Sequence, residues 1–183
     1  MKWSERQISG YLARFHFPKC LMLVPNCLWP GSECDLLAIT QNLRVVDIEI
    51  KISRADLKAD AKKAKWFHNW NWRIDGPYVH NGALRSRQWP HRVWKHYYCL
   101  PADIWQPELL SAMSPVSGVL LIRSNKHDDG LQIYVERQAK PDRGAERISA
   151  EDAIEIARLA SLRMWNAYET LDRYWASQQG KAA

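Results

Sequence analysis

Two neighbouring segments of the sequence carry charged side chains at a spacing typical of β-strands. The stretch VVDIEIKIS (45–53) has charged residues at alternate positions, namely Asp47, Glu49 and Lys51. Alternate side chains of a strand point to opposite faces, so these three share one face and the apolar residues between them share the other. Asp35 lies in the preceding segment, ECDLLAIT, which only a short connection separates from the first. We therefore predict an antiparallel strand pair that brings Asp35 close to Glu49.

Carboxylates held together on a sheet suit a divalent metal ion, and an ammonium group beside them suits a phosphate. Mg²⁺ takes oxygen ligands from one or two carboxylates and completes its shell with water and phosphate oxygens. We expect Asp35 and Glu49 to bind Mg²⁺ or Mn²⁺, with the carbonyl of Ile50 as a candidate third ligand. Such a metal polarises a phosphodiester and acidifies a bound water, while Lys51 orients that water or offsets charge on phosphorus. Two further carboxylates leave room for a second metal: Glu33 and Asp47.

A charged strand face also has an explanation that involves no function. If that face is solvated, Glu49 and Lys51 form a surface ion pair worth at most about 1 kcal/mol. If helices cover both faces of the sheet, unpaired buried carboxylates are costly and something must offset their charge. Burial of this face therefore decides between the two explanations.

Periodicity and capping signals predict three helices and six strands. The helices are predicted over 4–16, from 54 to about 70 and from 150 to about 175. Their capping signatures are Ser4 with Gln7, Ser53 with Asp56 and Ser149 with Asp152. Strands are predicted over 20–27, 33–40, 45–53, 94–101, 117–124 and 130–138. The order α, β, β, β, α, β, β, β, α predicts one α/β domain over 1–183, with a mixed β-sheet flanked by helices.

Positive charge is concentrated in one part of the chain. The net charge is +6, but residues 51–95 hold eleven Lys and Arg against three Asp, so this window is +8 and the remainder is −2. The window also holds five of the ten Trp, and from about 68 to 95 we predict a basic, Trp-rich loop. Basic groups interleaved with aromatic rings suit a phosphate backbone and stackable bases, although a packed core and a solvated helix face also explain them. The candidate nucleic-acid-binding residues are Lys58, Lys62, Lys65, Arg73, Arg85, Arg87, Arg92, Trp70 and Trp72.

The acidic and basic residues of the two strands also resemble a known motif. Asp35 is followed after fourteen positions by Glu49-Ile50-Lys51, with a helix before this pattern and a helix and a strand after it. This resembles the PD-(D/E)XK nuclease superfamily, whose members have the restriction-endonuclease-like fold. Within roughly residues 20–101, the segments ECDLLAIT, VVDIEIKISRADLKADAKKAKW and YYCLP are similar to the MmcB-like group, which is associated with DNA repair. Cys34 replaces a frequent Pro, and the lack of Gln-x-x-x-Tyr after the motif helix argues against a RecB-type exonuclease.

The resemblance implies a restriction-endonuclease-like fold and a Mg²⁺-dependent nuclease, a hydrolase of phosphodiester bonds that acts on DNA. Asp35, Glu49 and Lys51 take the acidic, acidic and lysine positions of the family motif. In some members an acidic residue of the first helix joins the metal site, and Glu5 is the candidate here, although the helix dipole also explains an acidic residue at that place. His96 is a further candidate near the site.

Two other classes of function stay open. The same fold could bind nucleic acid without cutting it, or the Trp-rich loop could dock on another protein. Asp56 and Asp60 are left out of the predicted site, because a helix cap explains the first and neighbouring lysines explain the second. The sequence also does not show whether the substrate is DNA or RNA, or whether it is duplex, single-stranded or branched. It does not show whether cutting is internal or terminal, or whether the biological context is repair, restriction or phage.

Composition is typical of a soluble globular protein, and we expect this protein in the cytoplasm. No apolar run approaches the roughly 20 residues of a membrane-spanning helix, and the start MKWSERQISGYLARF lacks the apolar core of a secretory signal. The four Cys form no CxxC pair, so we expect free thiols rather than a zinc site. We expect no membrane partner. A homodimer is plausible, but no coiled-coil signature in the sequence supports it.

Overall fold

The computed structural model describes residues 3–68, 86–124 and 131–179, which form an α/β fold around one mixed sheet. The six strands lie side by side in sequence order. They are β1 (Met22–Cys27), β2 (Cys34–Ile39), β3 (Val45–Ile50), β4 (Lys95–Pro101), β5 (Gly118–Ser124) and β6 (Leu131–Arg137). β1, β2 and β3 are antiparallel to one another in turn, β3, β4 and β5 are parallel, and β6 is antiparallel to β5. The predicted α/β class and mixed sheet are confirmed.

The chain groups into two compact units, Met1–Arg147 and Ile148–Ala183. The first unit contains the sheet and two short helices, α1 (Glu5–Tyr11) and α2 (Arg54–Asp60). The second unit contains the long helix α3 (Ala150–Gln179). A single nuclease-like domain over 1–183 stays a prediction.

Helix α1 begins where its capping signal predicts and covers one face of the sheet. The Ser4 hydroxyl accepts a hydrogen bond from the Gln7 N–H, and the Gln7 side chain accepts one from the Ser4 N–H. A π-helical turn, Leu12–His16, continues the helix, so the predicted span of 4–16 is helical throughout with a change of type. Ile8 is buried in a core cluster with apolar residues of β2, β3, β4 and β5.

Helix α2 covers the opposite face and is shorter than predicted. The Ser53 hydroxyl caps it by accepting a hydrogen bond from the Asp56 N–H at 3.2 Å. Leu57 packs in a second core cluster with residues of β4 and β5. The helix ends at Asp60 and a 3₁₀ turn, Ala64–Trp66, follows, whereas the sequence predicts helix to about residue 70. Buried ion pairs formed by the residues after this end override the local helix propensity.

Helix α3 is 30 residues long and starts at its predicted cap. The Ser149 hydroxyl accepts a hydrogen bond from the Asp152 N–H at 3.1 Å, and the Asp152 carboxylate accepts one from the Ser149 N–H at 3.2 Å. The helix ends at Gln179 rather than near residue 175. In the part of the chain that the structure describes, no helix combines the length and apolar character needed to cross a membrane.

Two further predictions concern the loop and the cysteines. Most of the predicted basic loop, residues 69–85, lies outside the described residues. An isolated antiparallel bridge joins Phe67 and Ser86, which flank that segment. All four cysteines lie in the described residues and none of them forms a disulfide bond: Cys20, Cys27, Cys34 and Cys99. That they hold no zinc stays a prediction.

Candidate active site

The antiparallel pairing of β2 and β3 brings Asp35, Glu49 and Lys51 together. Lys51 Nζ lies 2.6 Å from Glu49 Oε2 and 3.7 Å from Asp35 Oδ2. The Ile50 N–H donates a hydrogen bond to Asp35 Oδ2 at 2.7 Å and so fixes that carboxylate beside the end of β3. The three residues predicted from spacing alone therefore form one site.

Glu49 is fully buried and three ammonium groups contact it. The Nζ atoms of Lys51 and Lys65 lie 2.6 and 2.7 Å from its two carboxylate oxygens. Lys63 Nζ lies 3.5 Å away, and its side chain is 40% exposed, whereas the other two lysines are buried. The ionic face of β3 is therefore inside the protein, and the explanation of a solvated strand face is wrong.

Asp60 belongs to the same buried cluster. Its Oδ1 lies 3.0 Å from Lys63 Nζ and 3.4 Å from Lys51 Nζ. Its Oδ2 accepts hydrogen bonds from the Tyr98 hydroxyl at 2.7 Å and from Trp66 Nε1 at 3.2 Å. Asp60 is a partner of neighbouring lysines, as predicted, but the carboxylate is buried, because α2 ends at this residue and the following chain turns toward Glu49. Along the sequence, Asp60 is spaced from the lysines as in an exposed ion pair, so the sequence does not distinguish a buried pair from an exposed one.

Asp47 and His96 extend the cluster along the sheet. Asp47 Oδ2 lies 3.9 Å from Lys65 Nζ and 3.7 Å from His96 Nε2. His96 Nδ1 lies 2.9 Å from Ser117 Oγ, and the side chains of Asp47, His96 and Ser117 are all buried. Burial and the positive charge of Lys65 lower the pKa of His96 well below its ordinary value. His96 is therefore a neutral hydrogen-bonding partner rather than a cation at neutral pH.

The carboxyl groups of the cluster differ in how fully their charge is offset. Burial, with a contribution from the charge of Glu49, raises the pKa of Asp35 to about 6. Burial raises the pKa of Asp47 to about 7. Burial acts in the same direction on Glu49 and Asp60, but the three ammonium groups overcome it and lower the pKa of Glu49 to about 2 and that of Asp60 well below its ordinary value. Glu49 and Asp60 are therefore strongly paired with ammonium groups, whereas Asp35 and Asp47 are not.

The carboxylates of Asp35 and Glu49 are oxygen donors of the type that a hard divalent cation takes. When all groups are ionised, four carboxylates face three ammonium groups and leave a charge of −1 (3 − 4). Within the described ranges, no group of three or more His, Cys, Asp or Glu side chains is arranged to hold a metal ion. Mg²⁺ needs only one or two protein carboxylates, and the carbonyl of Ile50 remains the predicted third ligand.

Three other acidic residues lie around the site at different distances. Glu5, in the exposed first turn of α1, is near enough for its charge to contribute to the raised pKa of Asp35. Asp56, left out of the predicted site as part of a helix cap, has a carboxylate oxygen 4.0 Å from Lys51 Nζ. Glu33 is exposed just before β2. The structure thus places two of the three in electrostatic range of the Asp35 and Lys51 pair.

The predicted nucleic-acid-binding residues fall into separate groups. Three are exposed: Lys58, Lys62 and Arg92. Arg87 is half-buried, and its backbone N–H donates a hydrogen bond to the Trp66 carbonyl at 2.8 Å. Lys65, a candidate nucleic-acid-binding residue, is buried, and its Nζ lies 2.7 Å from Glu49 Oε1. The others lie outside the described residues: Trp70, Trp72, Arg73 and Arg85.

Comparisons with known proteins bear on the fold. No protein-family model matches the chain, and no curated protein does. The chain is similar in structure to the SPO1766 protein of unknown function from Silicibacter pomeroyi, with a TM-score of 0.51 and 16% sequence identity over 94% of each chain. At this identity the similarity shows a shared fold alone. Fold and site together define an α/β protein with a buried cluster of carboxylates and lysines on one face of its sheet, along β3.

Proposed function

We propose that this protein is a metal-dependent nuclease of the PD-(D/E)XK type that hydrolyses phosphodiester bonds in DNA. The observation that supports it is the position of Lys51 Nζ, within 4 Å of the carboxylates of Asp35 and Glu49 on two adjacent strands. The Asp35 side chain is 21% exposed, so a phosphate group can approach the cluster from solvent at this residue. The proposal extends the resemblance to the MmcB-like group associated with DNA repair.

Each side chain has a role that its surroundings support. Mg²⁺ or Mn²⁺, held by Asp35, Glu49 and the Ile50 carbonyl, would supply a Lewis acid and an acidified water. The carboxylates around Lys51 raise its pKa well above the ordinary value although burial opposes them, so the residue stays charged. That charge is placed to offset negative charge on the phosphate undergoing attack. Lys63, partly exposed beside Glu49, supplies a second cation facing solvent.

Exposed basic residues close to the cluster support nucleic acid as the substrate. Lys58 lies on α2, which begins three residues after Lys51, and Lys62 lies just beyond the end of that helix. Lysines of this kind bind a phosphate backbone without reading its sequence. Free thiols are stable in a reducing compartment, which supports the cytoplasm as the place of action.

The test is a cleavage assay on circular, linear, single-stranded and branched DNA with Mg²⁺, Mn²⁺ or EDTA. The variants Asp35→Asn, Glu49→Gln and Lys51→Ala remove one group each. Asp103→Asn and Lys19→Ala neutralise exposed residues elsewhere and serve as matched controls. We expect metal-dependent cutting by the wild type and both controls, and no cutting by the three site variants although they still bind DNA. Cutting that survives in Asp35→Asn and Lys51→Ala contradicts the proposal.

A second function, nucleic-acid binding without cleavage, is favoured by one observation. Both oxygens of Glu49 are engaged by ammonium groups at 2.6 and 2.7 Å, which neutralises this carboxylate without a metal. In that case DNA binds in a salt-sensitive way, no substrate is cut, and Mg²⁺ leaves the thermal unfolding temperature unchanged. A protein-docking role predicts neither a metal effect nor salt-sensitive DNA binding.

A further inference from the structure

Helix α3 exposes a continuous row of apolar and small side chains. Its large members are each at least 43% exposed, and its small members are also exposed. Successive members are alternately three and four residues apart, which is the a and d spacing of three successive heptads. We call this row the helix seam, and it consists of Ile154, Ala157, Ser161, Met164, Tyr168, Leu171 and Trp175. A helix surface of this kind marks an interaction site, because isolated proteins rarely leave a contiguous apolar row in water.

We infer that the helix seam pairs with the helix seam of a second copy of this chain in antiparallel orientation. In an antiparallel pair centred near residue 166, a positions of one copy oppose d positions of the other. The opposed residues are Trp175 with Ala157, Leu171 with Ser161, and Tyr168 with Met164. Each of these three opposed pairs thus combines a bulky side chain with a small or flexible one, which allows close packing. A parallel pair would instead set Trp175 against Trp175 and Ala157 against Ala157, which crowds one layer and leaves a void in the other.

The charges beside the helix seam favour the same orientation. Arg158 and Asp172 each follow a d position, so they lie on one edge of the row. In an antiparallel pair these edges meet, and Arg158 of each copy lies beside Asp172 of the other. In a parallel pair this edge would meet the opposite edge, whose residues carry no charge: Ala153, Ala160, Ala167 and Tyr174. Only the antiparallel arrangement therefore gives two pairs of opposite charge.

The helix seam is short, so the predicted association is reversible and depends on concentration. It spans residues 154–175, which is roughly 33 Å of helix at 1.5 Å per residue. Two of its seven positions are Ala157 and Ser161, which is why the sequence shows no conventional coiled-coil pattern. We expect weak self-association, as for small interfaces. This inference does not depend on the proposed nuclease function.

The test is sedimentation velocity on the full chain over a wide concentration series that extends to the solubility limit of the protein. The wild type should shift from the 21.3 kDa monomer to twice that mass. Leu171→Asp would bury two unpaired carboxylates in each dimer, so its dissociation constant should rise by more than about a hundredfold. Leu162→Asp, an equally exposed leucine of α3 outside the helix seam, is the matched control and should dimerise like the wild type. Circular dichroism checks that both variants keep their helix content.

The orientation has its own test. Arg158→Glu and Asp172→Arg should each weaken the dimer, and the double variant should restore it. Failure of the double variant to restore association overturns the antiparallel arrangement. A wild type that stays monomeric at the highest concentration overturns the inference and leaves the helix seam to a different protein. An equal loss of dimerisation in Leu171→Asp and Leu162→Asp also overturns the inference, because the effect would then not be specific to the helix seam.

Discussion

Replacing Asp35 with Asn is expected to stabilise the folded protein at neutral pH while it abolishes metal binding. The carboxylate of Asp35 is largely buried and faces that of Glu49. Burial, followed by this neighbouring charge, raises the pKa of Asp35 to about 6. The amide oxygen of Asn can still accept the hydrogen bond that the Ile50 N–H now donates at 2.7 Å. The substitution therefore removes the charge and keeps the shape.

The size of the effect follows from the pKa of Asp35. Each factor of ten in proton affinity is worth about 1.4 kcal/mol, so a rise from 3.8 to about 6 corresponds to a cost of up to about 3 kcal/mol for the ionised group. The folded state binds this proton more tightly than the unfolded state. The contribution of Asp35 to stability is thus most favourable below about pH 4, declines as the pH rises to about 6, and stays reduced above it. The residual exposure of the Asp35 side chain lowers this cost. We therefore expect the free energy of unfolding of Asp35→Asn to be higher than that of the wild type by about 1 to 3 kcal/mol at about pH 7.5, and to be little changed at about pH 4.

Urea unfolding at the two pH values measures this gain, with Asp103→Asn as a control that neutralises an exposed carboxylate of the same unit. Thermal melts with Mg²⁺ complete the assay, because a ligand that binds only the folded state raises the unfolding temperature. Mg²⁺ should stabilise the wild type and leave Asp35→Asn unchanged. A loss of more than about 1 kcal/mol in Asp35→Asn at neutral pH would refute the reasoning, because the charge would then stabilise the fold.

Three further predictions concern the stability of the cluster and its supporting helix. Asp60→Asn is expected to cost about 3 to 5 kcal/mol in urea unfolding, because it breaks buried ion pairs with three lysines. Ser53→Ala is expected to cost about 1 kcal/mol in the same assay through loss of the α2 cap. The folded pKa of Glu49 is about 2 against an ordinary 4.5, so its stabilising contribution is complete above about pH 4.5 and is lost as the pH falls toward 2. Circular dichroism against pH measures that acid transition.

Each of these predictions has a distinguishing control. Asp56→Asn neutralises a partly exposed carboxylate that lies near Lys51, and losses of equal size in Asp56→Asn and Asp60→Asn would contradict the role assigned to burial. Unchanged stability in Ser53→Ala would mean that the cap hydrogen bond contributes nothing to α2. An acid transition that Glu49→Gln does not move would show that other carboxylates govern it.

The part of the site that depends on local pattern is readable from the amino-acid sequence. Alternation along β3 places the charged residues on one face, and the short connection pairs β2 with β3. Asp35, Glu49 and Lys51 therefore meet as predicted. Strand period and helix capping depend on a few neighbouring residues, so they are readable without the fold. The helix starts were readable for the same reason, through Ser4, Ser53 and Ser149.

The burial of the ionic face of β3, and the choice of the lysines that neutralise it, depend on contacts between distant parts of the chain. The local pattern continues α2 past Lys65, but the structure ends the helix at Asp60 and turns Lys63 and Lys65 toward Glu49. Helix propensities differ by only tenths of a kcal/mol per residue, whereas an unpaired buried carboxylate costs several, so the ion pairs prevail. Periodicity cannot show this, because the competing contacts join residues that are distant in the sequence.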